Sequence, residues 1–315
     1  MNPNRASDQT RTPETIKSYL LRAESLLNRI ATEMTLPEDA YPPPDAVVDY
    51  LIRHSSSWKW STFRQRQANL ACRYEIEHER TGDPVLKDAA ERIRKLPHTQ
   101  CLPETTPGRT SSRKRKGIPE KDFNLLIANL ANPKLGSQYA RCSALWLMAT
   151  MGTGLRPCEW EHASLDPERA ELTVVNAKAT NGRGNGATRI IPVDPEDIPV
   201  VTAFLRTIRE MIATGPSGTP IDYALLQKSC GVAVNRACKV LWGGNPLKRY
   251  ALYSARHQYL ANLKAVASKR EVAARAGHSS ERTARRHYAP KRSAWQRYKD
   301  AAKLVLQTSP SQPPK

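Results

Sequence analysis

Residues 149–159 read Ala-Thr-Met-Gly-Thr-Gly-Leu-Arg-Pro-Cys-Glu. In this segment an apolar run ends at two glycines, and an arginine follows directly after the turn. Glycine has no Cβ, so Gly152 and Gly154 permit tight backbone geometry there. The segment predicts that Arg156 stands just beyond a helix end, with Glu159 able to hold it or its loop in place. Taken alone, the same pattern is typical of a surface arginine after a helix.

Further motifs follow this segment in the C-terminal half of the chain. They are Tyr253-Ser-Ala-Arg256-His257, Gly277-His278-Ser279-Ser280 and Arg286-His287-Tyr288. Arg256 comes 100 residues after Arg156, and His278 comes 22 residues after Arg256. A glycine-rich turn that begins at Lys178 separates the two arginines. Several pieces in one order are far more specific than any single piece.

The order and spacing of these motifs resemble the tyrosine recombinase (phage integrase) family. The resemblance covers roughly residues 119–305, and the N-terminal part is more weakly similar to the family's core-binding domain. It implies an α-helical N-terminal core-binding domain and a mostly α, α+β catalytic domain with a small antiparallel sheet. It also implies a site-specific recombinase or integrase that cuts and rejoins DNA through a 3′-phosphotyrosyl intermediate, with no metal, ATP or other cofactor.

The resemblance assigns a role to each candidate site residue. Two arginines suit a phosphate clamp, because their planar forks bind phosphate oxygens bidentately. A phenol suits a nucleophile that forms a phosphotyrosine. A lysine would protonate the leaving 5′ oxygen, and a histidine would hydrogen-bond the phosphate or move a proton. The candidate catalytic residues are Arg156, Lys178, Tyr253, Arg256, His278 and Tyr288.

Two positions depart from the family's usual pattern. Tyr253 stands where the family usually has histidine, and a phenol is a poor proton acceptor at neutral pH. This argues against the general-base role usual at that position. Tyr288 lies ten residues after His278, whereas the usual spacing of nine falls on His287. We expect Tyr288, rather than Tyr298, to be the nucleophile.

The excess of positive charge predicts a polyanionic partner, nucleic acid before an acidic membrane surface. The chain has 49 Lys and Arg against 30 Asp and Glu, a formal net charge of +19. Residues 235–303 alone carry 17 basic and 3 acidic side chains. Together with the resemblance, this charge implies double-stranded DNA as the partner of a homotetramer, and no small-molecule ligand. The candidate DNA-binding residues are Arg64, Arg66, Arg113, Lys114, Arg115, Lys116, Lys248 and Arg249.

Apolar periodicity and turn residues divide the chain. We expect a helical core-binding domain at 1–97, a basic linker at 98–118, a catalytic domain at 119–305 and a disordered tail at 306–315. Asp45 is predicted to cap the second helix. Helices are predicted at 13–31, 45–54, 59–80, 84–95, 120–131, 138–150, 196–213, 221–241, 255–267, 269–276 and 291–306, and strands at 171–177 and 187–193.

Other features predict where the protein works. The apolar segment at 142–155 is too short to span a bilayer, and the first ten residues hold no apolar signal core. We therefore expect a cytoplasmic, nucleoid-associated protein of bacterial or phage origin with no membrane partner. The six cysteines form no Cys-x-x-Cys pair, which favours reduced thiols. We expect Trp295 to be a core residue, like Trp146 and Trp242. The segment after Tyr288, with Trp295 and Leu304 to Leu306, is also apolar enough to dock on a neighbouring protomer.

Three other functions stay open at this point. A type IB topoisomerase uses a similar set of Arg, Lys, His and Tyr residues and relaxes supercoils as a monomer. A protein of the same fold that binds DNA without cutting it is compatible with the substitution at Tyr253. A basic RNA-binding protein would give Tyr288 no role. The short length and the family-like motifs favour the recombinase.

Overall fold

The computed structural model describes residues 12–103, 116–135, 137–177, 186–277 and 288–298. The chain divides into two compact units, Met1–Arg109 and Thr110–Lys315. Each unit has its own buried core.

Helices make up the N-terminal unit. They are α1 (Pro13–Glu33), α2 (Pro44–His54), α3 (Trp60–Thr81) and α4 (Pro84–Lys95). Three of them begin with proline, which is tolerated in the first turn because its missing N–H would have no intrahelical acceptor there. Their apolar faces meet in a core that includes Leu27, Ile30, Leu51, Phe63 and Leu70.

The start of α2 differs from the prediction. Pro43, and not Asp45, occupies the N-cap position, because Pro44 at the first helical position starts the helix two residues earlier than a cap at Asp45 would. Asp45 lies in the first turn, where its carboxylate accepts a hydrogen bond of 2.5 Å from Arg92 Nη1. The prediction that Asp45 caps α2 is therefore wrong.

The C-terminal unit is mostly helical. Its helices are α5 (Glu120–Leu130), α6 (Gln138–Thr153), α7 (Ile198–Thr214), α8 (Tyr223–Trp242), α9 (Leu252–Val266) and α10 (Lys269–Arg275). Helix α6 lies against α7, α8 and α9. Trp146 of α6 is fully buried and its ring packs against Phe204 and Tyr223. Helix α6 is therefore the centre of this unit.

A small antiparallel sheet completes the unit. It has the strand order β1 (Ser164–Asp166), β2 (Glu171–Val175) and β3 (Thr188–Pro192). Strands β2 and β3 pair from Glu171 with Pro192 to Val175 with Thr188. The helices with this small sheet confirm the predicted fold class. Strand β1 was not predicted, because three residues are too few to show a period of two.

The predicted linker at 98–118 packs at both of its ends. Leu102 donates its N–H to the Trp58 carbonyl at 2.8 Å in the N-terminal unit. Ile118 is fully buried in the C-terminal core. Of the basic residues between them, Lys116 is exposed and the others lie outside the described residues, and the domain limits at 97, 118 and 305 stay predictions.

The segment after Tyr288 differs from the predicted helix at 291–306. Lys291–Ser293 forms a short 3-10 turn, residues 296–298 are helical, and residues 299–306 lie outside the described residues. Trp295 packs in its own unit, where its ring lies 5.4 Å from that of Phe123 and its indole N–H donates to the Ile118 carbonyl at 2.8 Å. The prediction that Trp295 is a core residue is therefore confirmed, and its ring is not free to dock on a neighbour. Residues 304–306 lie outside the described residues.

Within the described ranges, every helix is too short or too polar to span a bilayer.

Candidate active site

Two helix ends bring the predicted arginines together. Helix α6 ends at Gly154, whose φ of +71° is a left-handed conformation that favours glycine. The chain then turns and presents Arg156, which is 7% exposed. Helix α9 carries Tyr253, Arg256 and His257 in its first two turns. These residues face the same buried region as Tyr288.

The carboxylate of Glu159 lies at the centre of an arginine cluster, and its side chain is fully buried. Its Oε1 accepts a hydrogen bond from Arg156 Nη1 at 2.5 Å, and its Oε2 accepts one from the Arg156 backbone N–H at 2.7 Å. Arg189 Nη1 and Nη2 donate to the same two oxygens at 3.0 and 2.8 Å. Arg256 Nη1 lies 3.6 Å from Oε2. One carboxylate thus orients three guanidinium groups.

This cluster keeps Glu159 ionised. Burial by itself raises the pKa of the carboxyl group, but the hydrogen bonds and charges of Arg189, with the charges of Arg156 and Arg256, outweigh it. The pKa of Glu159 falls to about 2. The carboxylate is therefore charged at every pH at which the protein is expected to work.

Arg256 is fully buried and binds both backbone and the candidate nucleophile. Its Nη1 donates to the Gly154 carbonyl at 2.5 Å, and its Nη2 donates to the Ala276 carbonyl at 2.7 Å. Its Nε and Nη2 also donate to the Tyr288 phenol oxygen, at 3.3 and 3.2 Å. These contacts fix the plane of the guanidinium and place Tyr288 against it.

Tyr253 and Tyr288 form a hydrogen-bonded pair with phenol oxygens 3.0 Å apart. Burial and the neighbouring Tyr288 raise the pKa of Tyr253 to about 12, so Tyr253 keeps its proton when Tyr288 is ionised and then donates it in this hydrogen bond. Burial also raises the pKa of Tyr288, but the charge of Arg256, hydrogen bonds from Tyr253 and Arg256, and the charge of Arg156 bring it below its usual value. Tyr288 is therefore the more acidic phenol.

His257 borders this pair without a positive charge at neutral pH. Its ring centroid lies 5.1 Å from those of both Tyr253 and Tyr288. Burial and the charges of Lys116, Arg256 and Lys264 lower the pKa of His257 to about 4. The neutral ring packs against the two tyrosines.

Helix α9 also holds the chain segment that follows Tyr288. Lys264 Nζ donates to the Ala289 carbonyl at 2.9 Å, and Gln258 Nε2 donates to the Ser293 carbonyl at 2.9 Å. The Trp295 backbone N–H donates to Asn262 Oδ1 at 3.0 Å. Tyr288 is therefore placed against the Arg256 of its own chain.

Comparison with solved structures identifies the architecture. The Tn1549 transposon integrase in complex with circular intermediate DNA superposes with a TM-score of 0.56 at 16% identity, covering 96% of both chains. The lambda integrase dimer bound to a COC′ core site gives a TM-score of 0.51 at 12% identity, over 99% of this chain and 77% of that one. This chain has the tyrosine recombinase fold. No protein-family model and no curated protein match the sequence.

The tyrosine recombinase fold brings together four of the six predicted site residues. Arg156, Tyr253, Arg256 and Tyr288 converge on one buried region. Lys178 and His278 lie outside the described residues, so their placement stays a prediction.

Two residues at this site were not predicted. Arg189 and Asn176 flank the hairpin of the tyrosine recombinase fold, and Arg189 Nη1 donates to Asn176 Oδ1. Burial alternates along β3, so that Arg189 and Ile191 point inward. The sequence signal was Arg189-Ile-Ile-Pro192 on the return strand, which resembles the family's pattern, but the contact of Arg189 with Glu159 depends on the register of the hairpin.

The predicted DNA-binding residues have different surroundings. Arg66 lies in a cleft of about 380 Å³ with Arg22 and Arg29, and its guanidinium lies 3.7 Å from the Trp58 ring centroid. Arg64 is exposed on the same helix.

In the C-terminal unit, Lys248 Nζ binds Asp122 Oδ1 at 3.0 Å, Arg249 is half-buried and Lys116 is exposed. Arg113, Lys114 and Arg115 lie outside the described residues.

The cysteines are all thiols, and four of the six are buried. Among the described residues, no group of three or more His, Cys, Asp or Glu side chains could hold a metal ion.

Proposed function

We propose that this protein is a site-specific DNA recombinase or integrase with Tyr288 as its nucleophile. One observation carries the proposal: the Tyr288 phenol oxygen accepts hydrogen bonds from Arg256 and is hydrogen-bonded to Tyr253, beside Arg156. A phenol with a lowered pKa between two arginines is suited to attack a phosphodiester. The tyrosine recombinase fold supports this use of the site.

The proposed reaction is a transesterification. Tyr288 loses its proton and its oxygen forms a bond to the scissile phosphorus. The bond from phosphorus to the 5′ oxygen breaks, and that oxygen takes up a proton. The product is a 3′-phosphotyrosine and a free 5′ hydroxyl, so the energy of the ester bond is kept for rejoining. The reverse reaction with a different 5′ hydroxyl exchanges strands.

The arginines would bind the scissile phosphate. Arg256 Nε and Nη2 both point at the Tyr288 oxygen, which is the fork geometry that a phosphate oxygen accepts. We propose that a phosphate oxygen takes these donors when DNA binds, and that the Tyr288 oxygen moves to the in-line position. Arg156, oriented by Glu159, would hold the phosphate from a second direction.

Three further residues have proposed roles in proton movement. Tyr253 keeps its proton and would stabilise the Tyr288 phenolate as a hydrogen-bond donor. Lys178 would supply the proton to the leaving 5′ oxygen. His278 would hydrogen-bond the phosphate or help to move the proton from Tyr288.

Double-stranded DNA is the proposed partner. Arg64, Arg66, Lys116, Lys248 and Arg249 are proposed to contact its backbone, with the cluster Arg113, Lys114 and Arg115. We also propose a homotetramer that synapses two sites through a Holliday junction, in the cytoplasm of a bacterium that carries a phage or other mobile element.

A covalent adduct with DNA tests this proposal. The protein is incubated with nicked suicide duplexes taken from the DNA that flanks its gene, beside Tyr288→Phe and, as a matched control, Tyr298→Phe. An adduct on a denaturing gel with wild type and Tyr298→Phe, but not with Tyr288→Phe, is expected. An adduct that persists in Tyr288→Phe contradicts the proposed nucleophile. Salt-sensitive binding to these duplexes without an adduct favours a DNA-binding protein that does not cut.

A second assay separates strand exchange from simple relaxation. Recombination between two sites on one plasmid is expected to give two circles or an inversion. Relaxed plasmid without recombinants would instead indicate a type IB topoisomerase-like activity.

A further inference from the structure

Arg189 has no role in the reaction that the sequence resemblance assigns, yet it contacts three separate segments of the candidate active site. It lies on β3, is 9% exposed, and points inward. Its neighbours are Glu159 after α6, Asn176 after β2, and Gly277 after α10. Burying an arginine costs free energy unless its N–H groups are hydrogen-bonded, so these contacts are what keep Arg189 in place.

The first contact fixes the orientation of the Glu159 carboxylate. Arg189 Nη1 and Nη2 donate to Oε1 and Oε2 at 3.0 and 2.8 Å, which is a bidentate pair. A carboxylate bound by a planar fork has little freedom to rotate. The other lone pairs of the carboxylate therefore point in fixed directions, and Arg156 Nη1 donates to one of them on Oε1 at 2.5 Å.

The second contact fixes the guanidinium from the other side. Arg189 Nη1 donates to Asn176 Oδ1. Asn176 is itself held at the base of the hairpin, because its Nδ2 donates to the Gly186 carbonyl at 2.9 Å and its backbone N–H donates to the Ala187 carbonyl at 2.8 Å. Arg189 is therefore tied to the sheet on which it stands.

The third contact joins this guanidinium to the turn after α10. Gly277 has a φ of +62°, and a Cβ at that position would lie 2.9 Å from Arg189 Nη1. The adjacent residue, Ala276, accepts the hydrogen bond from Arg256 Nη2 at 2.7 Å. The same turn therefore touches Arg189 and binds Arg256.

We propose that Arg189 is a positioning residue for the phosphate-binding arginines. It acts through Glu159 on Arg156, and through the turn at Ala276 and Gly277 on Arg256. It is not proposed to contact DNA. This inference rests on the proposed function, because Arg189 is proposed to affect the rate of attack on the scissile phosphate.

A double-mutant cycle tests this coupling. The variants are Arg189→Lys, Arg156→Lys and the double variant, and the readout is the single-turnover rate of adduct formation on a nicked suicide duplex. Lysine keeps the positive charge but lacks the planar pair of donors, so this variant distinguishes the effect of donor geometry from the effect of charge. Arg169→Lys is the matched control, because Arg169 lies in the turn before β2 and is 75% exposed.

Arg189→Lys is expected to slow adduct formation on the order of 10- to 100-fold, as for partners that orient binding groups. In the Arg156→Lys background the same change is expected to cost less than about threefold, because residues that act through one another are not additive. The affinity for intact duplex, measured by fluorescence anisotropy, should stay within about twofold, since many other phosphate contacts supply it. The control should match wild type.

Two results would overturn the inference. In one, Arg189→Lys cuts as fast as wild type, so that charge alone suffices. In the other, it loses the same factor in both backgrounds, which indicates that Arg189 acts independently of Arg156. Rates are divided by the adduct amplitude, so a partly unfolded variant does not imitate a slow one. Absence of an adduct with wild type would instead contradict the proposed function itself.

Discussion

The phenol oxygens of Tyr253 and Tyr288 lie 3.0 Å apart and share one hydrogen bond. The two phenols differ in acidity, since the pKa of Tyr253 is raised to about 12 and that of Tyr288 is lowered. Tyr253 is therefore able to donate a hydrogen bond to the candidate nucleophile once Tyr288 is ionised. This relationship changes what is expected of the position, from accepting a proton to stabilising a phenolate.

Replacing Tyr253 with phenylalanine should raise the pKa of Tyr288. A hydrogen bond to a charged group is worth about 1.5–3 kcal/mol, so we expect adduct formation at neutral pH to slow about tenfold or more. The loss should shrink as the pH rises, because solvent then removes the Tyr288 proton. The measurement is the single-turnover rate from pH 6 to pH 10, with Tyr139→Phe as the control. Parallel profiles for wild type and Tyr253→Phe would contradict this role.

Glu159→Gln should destabilise the C-terminal unit. Removing one partner of a buried ion pair typically costs about 3–5 kcal/mol, and here three arginines lose their common carboxylate. The measurement is the free energy of unfolding in urea at pH 7. A loss below about 1 kcal/mol would show that the arginines find other partners.

The same residue predicts an acid-dependent loss of stability. The pKa of Glu159 is about 2 in the folded protein against an ordinary value of 4.5, so its carboxylate stabilises the fold above pH 4.5. That contribution is about 3 kcal/mol, and it is lost as the pH falls from 4.5 towards 2. The free energy of unfolding of Glu159→Gln should therefore depend less steeply on pH in this window than that of wild type.

His257 should stay neutral well below the pH at which histidine usually protonates. Its pKa is lowered from 6.5 to about 4 in the folded protein. Because the unfolded chain takes up this proton near pH 6.5, stability should fall as the pH drops from 6.5 to 4. NMR titration of the ring, assigned with His257→Gln, is expected to show a midpoint near pH 4. A midpoint near 6.5 would contradict the packed environment between the two tyrosines.

Arg66→Ala should weaken binding to duplex DNA of any sequence. The Arg66 guanidinium is held over the Trp58 ring in a cleft with Arg22 and Arg29, so its position is fixed before DNA binds. Loss of one phosphate contact should reduce the slope of log affinity against log salt by about 0.9. Fluorescence anisotropy at several salt concentrations measures this, with Arg80→Ala as an exposed control on α3. An unchanged slope would remove Arg66 from the DNA interface.

Mixing two inactive variants should not restore cutting. Lys264, Gln258 and Asn262 of α9 hold the segment after Tyr288 beside the Arg256 of the same chain. A complete site therefore needs Tyr288 and Arg256 from one protomer. An equimolar mixture of Tyr288→Phe and Arg256→Ala is expected to form no adduct. Recovered activity would show that the nucleophile is supplied by a neighbour.

Local sequence patterns predicted the convergent residues well. Arg156 follows a helix that ends at glycine, and Arg256 lies near the start of a helix, so their local placement was predictable before any tertiary contact was known. The order of the motifs then predicted that Tyr288 joins them, and the structure confirms that these residues meet.

Contacts that depend on strand register were harder to predict. Arg189 and Asn176 reach the site because β2 and β3 pair in one particular register. The sequence around them shows a hairpin but not which residues face Glu159. The sequence left Trp295 between the core and docking on a neighbour, because an apolar side chain suits both, and its hydrogen bond to Ile118 depends on the fold.

The net charge of the arginine cluster decides which reactants the site needs to become neutral. Arg156, Arg189 and Arg256 surround the single carboxylate of Glu159, so these four side chains carry an excess of two positive charges. A DNA diester brings one negative charge, and a tyrosine phenolate brings the second. Neither reactant alone neutralises the cluster. The net charge becomes zero when the diester and the phenolate are both bound, and it stays zero when they join in a five-coordinate phosphorus. Fixed charges accelerate a reaction by stabilising such a charged transition state.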